Sequence, residues 1–100
     1  MTDEAFAEFY KPITHRFQKL RFVKSAERRR LVRRMVTEVE ADLYRGQRNP
    51  EVLEETARQT FEKEFGSILV IIGLAVLSAL IEYIVKKLLE RWKKIEVLGQ

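Results

Sequence analysis

The sequence predicts an all-α chain in which short amphipathic helices are followed by one long transmembrane helix with an amphipathic C-terminal extension. Apolar residues recur every three or four positions over most of the chain, as on one face of an α-helix. The segment Gly66–Ile81 has no charged residue, although Asp, Glu, Lys and Arg make up 34% of the sequence. A length of 100 residues limits the chain to one small domain.

Residues 1–48 are predicted to form a basic amphipathic helical region that begins with a helix over residues 3–23. Pro12 removes a backbone donor, so we expect a kink or break near Lys11. One stripe of this helix is aromatic, and such a small chain has little material to cover it. We therefore expect the stripe to dock onto a partner subunit, a second copy or the bilayer surface. The docking stripe consists of Phe6, Phe9, Tyr10, Ile13 and Phe17.

A second helix is predicted from Ser25, as its N-cap, to about Tyr44, with Gly46 as the C-terminal stop. Its apolar residues share one side, and a basic cluster lies on the other. The cluster is expected to contact phosphate groups, either of anionic lipid or of nucleic acid. No aromatic residue interleaves with it, so sequence-specific base recognition is not expected. A solvated face or one that meets an acidic protein is the alternative. The cluster consists of Arg29, Arg30, Arg33 and Arg34.

Residues 49–65 are predicted to form an acidic helix that leads into the membrane. Asn49 can accept a hydrogen bond from a free helix N–H, and Pro50 suits the first helical position. Glu51 is favoured by the positive end of the helix dipole.

Residues 66–85 are predicted to cross the membrane, because about 20 residues of helix span a hydrocarbon core of roughly 30 Å. Residues 86–100 then form a basic interfacial tail, with Tyr83 and Trp92 suited to an aromatic belt at the head groups. The alternative is a buried central helix in a soluble bundle.

Small and polar residues line one side of the apolar helix and predict helix–helix packing, or a pore lining if several copies assemble. The alternative is a single lipid-facing helix on which these residues have no role. The predicted packing set is Ser67, Ala75, Ser78, Ala79 and Glu82.

The sequence contains no recognisable catalytic motif, and we expect no enzymatic activity and no cofactor. The chain has no cysteine, and His15 is its one histidine, so a thiolate or two-histidine metal site is not possible. No catalytic, cofactor-binding or metal-binding residue is predicted.

These observations predict a non-catalytic structural subunit of a larger membrane-associated assembly, such as a virus particle or a multisubunit membrane complex. Its partners would be the lipid bilayer, other protein subunits including copies of itself, and nucleic acid bound without sequence specificity. A single-pass location in a host or virion membrane follows, with no orientation assigned. Two alternatives stay open: a small self-associating membrane pore or lytic protein, and a soluble helical nucleic-acid-binding module.

Overall fold

The computed structural model describes residues 1–99 and is all-helical over that range, which confirms the all-α prediction. The molecule measures 44 × 25 × 18 Å. Two 3-10 turns, Gln18–Phe22 and Gly66–Ile68, separate some of the helices. The α-helices are α1 Asp3–Arg16, α2 Ser25–Tyr44, α3 Pro50–Phe65, α4 Leu69–Ile72 and α5 Leu74–Leu98.

Helices α2 and α3 form an antiparallel hairpin that packs against α5. Gly46 adopts a φ of 93° after α2, a left-handed conformation that glycine reaches without steric cost. The Oδ1 atom of Asn49 accepts a hydrogen bond from the Glu51 N–H at 3.0 Å, so the predicted start of α3 is confirmed. The predicted bounds of α2 are also confirmed, but the N-cap of this helix is Lys24 rather than Ser25.

One apolar core joins all the helices. Phe61 is fully buried on α3, Met35 on α2 and Ile81 on α5. The buried apolar residues of α2 recur at helical spacing, as the sequence predicts. The long helices therefore hold one another through side-chain packing rather than through helix propensity alone.

No break occurs near Lys11, because α1 continues through Pro12 to Arg16, and the alternative of a kink stays a prediction. Proline leaves the carbonyl of Glu8 without its usual i+4 donor, but Glu8 and Pro12 are both exposed residues. Water can replace the missing hydrogen bond there. The helix ends at Arg16, because the next residue, Phe17, has a φ of −111° and a ψ of 77°, which are not helical.

The continuous helix expected over residues 66–85 is also a wrong prediction. Gly73 has a φ of 81° and a ψ of 156° and separates α4 from α5. On both sides of this break, residues such as Ile72 and Leu77 point into the protein core. Over residues 1–99, no helix combines the length and the apolar character that a membrane span requires.

The C-terminal end of α5 extends beyond the core, where residues 93–98 are all exposed. An ion pair between Arg48 and Glu96 links this end to the α2–α3 loop. The ring of Tyr44 also contacts the ring of Trp92 edge-on, with 4.6 Å between centroids. The predicted basic tail is therefore a continuation of α5 that is attached to the hairpin at its far end.

Candidate functional site

Two of the four predicted phosphate-binding arginines are engaged by neighbouring groups of the same chain. Arg34 donates hydrogen bonds to both carboxylate oxygens of Glu64, at 2.9 to 3.2 Å, and to Glu38 at 3.0 Å. The hydrogen bond from Arg34 holds the pKa of Glu64 below its ordinary value. Arg33 donates to the Met1 carbonyl at 2.8 Å and lies over the Phe6 ring. Arg34 thus links α2 to α3, and Arg33 links α2 to the N-terminal residue.

The other two arginines of the cluster lie over aromatic rings and form no ion pair within residues 1–99. The Arg29 guanidinium is 5.3 Å from the Phe6 ring centroid and 5.6 Å from that of Tyr10. Arg30 is 5.1 Å from the ring centroid of Phe65. Burial raises the pKa of the Tyr10 hydroxyl, although nearby arginine charge opposes the shift. Arg29 and Arg30 are exposed and keep donors for an external anion.

The predicted docking stripe faces the chain's own core. Phe6, Ile13 and Phe17 are buried, whereas Phe9 and Tyr10 are half-buried. The expectation that the chain cannot cover this stripe is wrong. Helix α1 packs against α2 beside the boundary between the basic and apolar faces of α2. Arginines of α2 therefore lie over α1, while the aromatic stripe of α1 reaches the core. A docking role for the remaining exposed edge stays a prediction.

The predicted packing set is largely on one outer side of α5. Ala75, Ala79 and Glu82 are exposed there, and Ser78 is half-buried. Ser67 is also exposed but lies in the 3-10 turn before the break at Gly73. The helical pitch of α5 therefore no longer aligns Ser67 with the other four residues.

A cluster of exposed apolar side chains, which the sequence analysis did not identify, lies at the end of the molecule where α5 begins. We call it the apolar tip; the 3-10 turn that carries its aromatic residue packs against α4. Gly73 redirects the backbone between α4 and α5, so side chains on both sides of it reach solvent. The tip consists of Phe22, Val70, Ile71 and Leu74, which are 62%, 91%, 47% and 61% exposed.

Basic residues lie beside the apolar tip. Residues 16–30, which we call the basic segment, contain seven Lys or Arg residues and one acid, Glu27. The guanidinium of Arg21 is 4.9 Å from the ring centroid of Phe22. Arg28 donates a hydrogen bond to the Leu20 carbonyl at 3.4 Å, which joins the start of α2 to the 3-10 turn. Exposed apolar groups and basic side chains thus share one end of the molecule.

Side-chain groups that could hold a metal ion, and the single histidine, were the remaining candidates for a chemical site. Among residues 1–99, no three His, Cys, Asp or Glu side chains are grouped so that they could hold a metal ion. His15 is an exposed residue at the end of α1. Comparison of the chain with protein-family models, curated proteins and solved structures finds no match.

Proposed function

We propose that this chain is a non-catalytic structural subunit of a membrane-associated assembly, and that it contacts anionic lipid through the apolar tip and the basic segment. The observation that carries the proposal is the exposure of Phe22, Val70 and Leu74 at the end that holds the basic segment, with its seven Lys and Arg residues and one acid. In this proposal the tip enters the head-group region while the neighbouring cations stay at its surface.

The expected energies favour reversible adsorption. Complete burial of one large apolar side chain is worth about 1.5–3 kcal/mol, and each tip residue would gain part of that amount. Each Lys or Arg near an anionic leaflet adds about 1 kcal/mol at most, and added salt screens this contribution. Neither contribution alone holds a small protein firmly, but together they support binding that depends on both lipid charge and apolar contact.

The arrangement of Arg21 and Phe22 suits such an interface. The cation lies over the aromatic ring, so the ring can enter the boundary region while the guanidinium remains beside lipid phosphates. Lys19 and Lys24 are exposed on the two sides of this pair in sequence. The same basic segment could also bind nucleic acid, but binding to phosphates alone would leave the apolar tip in water.

Vesicle sedimentation tests the proposal. Wild-type protein should bind vesicles of phosphatidylcholine and phosphatidylserine, and bind poorly to phosphatidylcholine alone. The double variant Phe22→Ser/Val70→Ser should bind the anionic vesicles about tenfold more weakly, since loss of about 1.4 kcal/mol has that effect. Both positions are exposed, so the fold should be retained. Val52→Ser/Leu98→Ser removes exposed apolar side chains away from the tip and is the matched control.

A second pair of measurements separates lipid from nucleic acid. Arg21→Gln/Lys24→Gln should weaken vesicle binding in a salt-dependent manner. If the Phe22→Ser/Val70→Ser variant binds anionic vesicles as tightly as wild type, the tip is not the contact. If wild type ignores vesicles but binds duplex DNA with strong salt dependence, the nucleic-acid alternative replaces the proposal.

A further inference from the structure

Charges of alternating sign follow one another along the solvent-facing side of α5. Helical pitch places this side, which we call the outer face, within an arc of about 120°. All its members are exposed except the half-buried serine. The outer face consists of Ser78, Glu82, Lys86, Glu90, Lys93 and Val97.

We infer that the outer face binds a second copy of this chain, with the two α5 helices antiparallel. In this arrangement Glu82 of one copy lies opposite Lys93 of the other, and Lys86 lies opposite Glu90. The two-fold axis passes near residue 88 and repeats each pair, so four attractive pairs form across one interface. Such an interface is isologous, because the same surface serves both copies.

The charge order selects the antiparallel direction. Two parallel α5 helices in register would place Glu82 against Glu82 and Lys86 against Lys86, and like charges on facing helices repel. The antiparallel register instead opposes Glu82 and Glu90 each with a lysine, while Glu96, on the same side of α5, pairs with Arg48 of its own chain. The pattern of this single face therefore specifies both the partner and its direction.

Apolar side chains on the same face add contact area. Leu89 is half-buried beside the charged residues, and Val97 is 66% exposed. In the antiparallel register Val97 reaches Ser78 and Ala79 of the other copy, where small side chains allow close approach of the backbones. Surface grooves run along both sides of the outer face, one bounded by Pro50 and the other by Arg16. They leave room for the flanks of a second helix.

The antiparallel pairing would give the dimer two apolar tips at opposite ends. Leu74 is 14 residues from the two-fold axis, or about 21 Å at 1.5 Å per residue. The tips would therefore lie about 42 Å apart and point away from each other. A dimer of this shape can join two anionic lipid surfaces. This joining role rests on the proposed function, whereas the dimer itself does not.

Charge reversal tests the dimer in the absence of lipid. The chain carrying Glu82→Lys/Glu90→Lys should self-associate at least about tenfold more weakly than wild type in sedimentation equilibrium, and so should Lys86→Glu/Lys93→Glu. An equimolar mixture of the two should recover the dimer mass. All four positions are exposed, so these changes leave the core intact. The matched control is Glu55→Lys/Glu62→Lys, which also replaces two glutamates by lysines but on α3. This control should dimerise as wild type does.

Cysteine cross-linking tests the direction, because the chain has no cysteine of its own. A mixture of Ser78→Cys and Val97→Cys chains should form a mixed disulfide under mild oxidation. A disulfide between two Val97→Cys chains would instead indicate parallel helices and overturn the inference. Monomeric wild-type protein at high micromolar concentration, or unmixed charge variants that dimerise as wild type does, would also overturn it.

Vesicle clustering then separates the two proposals. Wild type should cluster anionic vesicles, while Glu82→Lys/Glu90→Lys should bind them without clustering. If wild type dimerises in the predicted direction but does not bind vesicles, the dimer stands and the proposed lipid contact fails. If wild type binds vesicles as a monomer, the lipid contact stands and the dimer fails.

Discussion

Replacement of Gly73 by alanine should lower the stability of the protein if the helix is broken at this residue, and should raise it if the helix is continuous. Gly73 has a φ of 81° and a ψ of 156°, a combination that is almost confined to glycine. A Cβ atom at this position would meet no atom within 4 Å, so the cost of Gly73→Ala is backbone strain alone. We expect the free energy of unfolding to fall by about 1–3 kcal/mol.

Gly66→Ala is the matched control in the same apolar segment. Gly66 has a φ of −54° and a ψ of −33°, which alanine adopts readily, and its added Cβ would also meet open space. Alanine there should stabilise the fold by about 0.4–1 kcal/mol, mainly because it restricts the unfolded chain. The two Gly→Ala variants therefore differ in the sign of their effect.

Urea unfolding followed by far-ultraviolet circular dichroism measures both variants. The midpoint should fall for Gly73→Ala and rise slightly for Gly66→Ala, with the m-value unchanged. In thermal unfolding each kcal/mol corresponds to about 4–8 °C for a domain of this size. If residues 66–85 formed one continuous helix, Gly73→Ala would instead stabilise it by about 1 kcal/mol. A rise in stability for Gly73→Ala would thus refute the helix break.

Two further predictions concern the core and the ion pairs. Phe61→Ala, at a fully buried position, should lower the free energy of unfolding by about 3–5 kcal/mol in urea unfolding, whereas Phe22→Ala at the exposed tip should change it by less than about 0.5 kcal/mol. Equal losses of unfolding free energy in the two variants would contradict the burial of Phe61 and the exposure of Phe22. Arg34 lowers the pKa of Glu64 in the folded protein. The ion pair between them therefore stabilises the fold fully above the ordinary glutamate pKa of about 4.3. This stabilisation is lost as the pH falls through the lower pKa of the folded state. Glu64→Gln should therefore lose less stability than wild type on acidification, and identical pH profiles would show that the pair contributes nothing.

Local signals in the sequence predicted the bounds of α2 and α3 well. Asn49 and Pro50 mark the start of α3, and Gly46 ends α2 by adopting a left-handed conformation. These features depend on a few adjacent residues, so sequence spacing is sufficient to identify them. The class of the fold followed from the same periodicity.

The composition of the apolar segment does not show whether it lies in the protein core or in a lipid bilayer, because both environments favour the same residues. A helix buried among its neighbours and a helix in lipid both require a long uncharged run. The deciding feature is the backbone conformation of Gly73, which an isolated glycine in a helical pattern does not reveal. The apolar tip follows from that break and was missed with it. Likewise, pairing of Arg34 with Glu64, 30 residues away, depends on tertiary packing.

The uneven charge of the chain makes it an electric dipole. The basic segment carries a net charge of +6 and the whole chain +4, so the remainder of the molecule is net negative. At physiological ionic strength the field of a charged surface decays over about 8 Å, a short distance beside a molecule 44 Å long. In the proposed lipid contact, an anionic surface would attract the basic end once that end lies within this distance and would hardly act on the far end, so the basic end would make the first lasting contact.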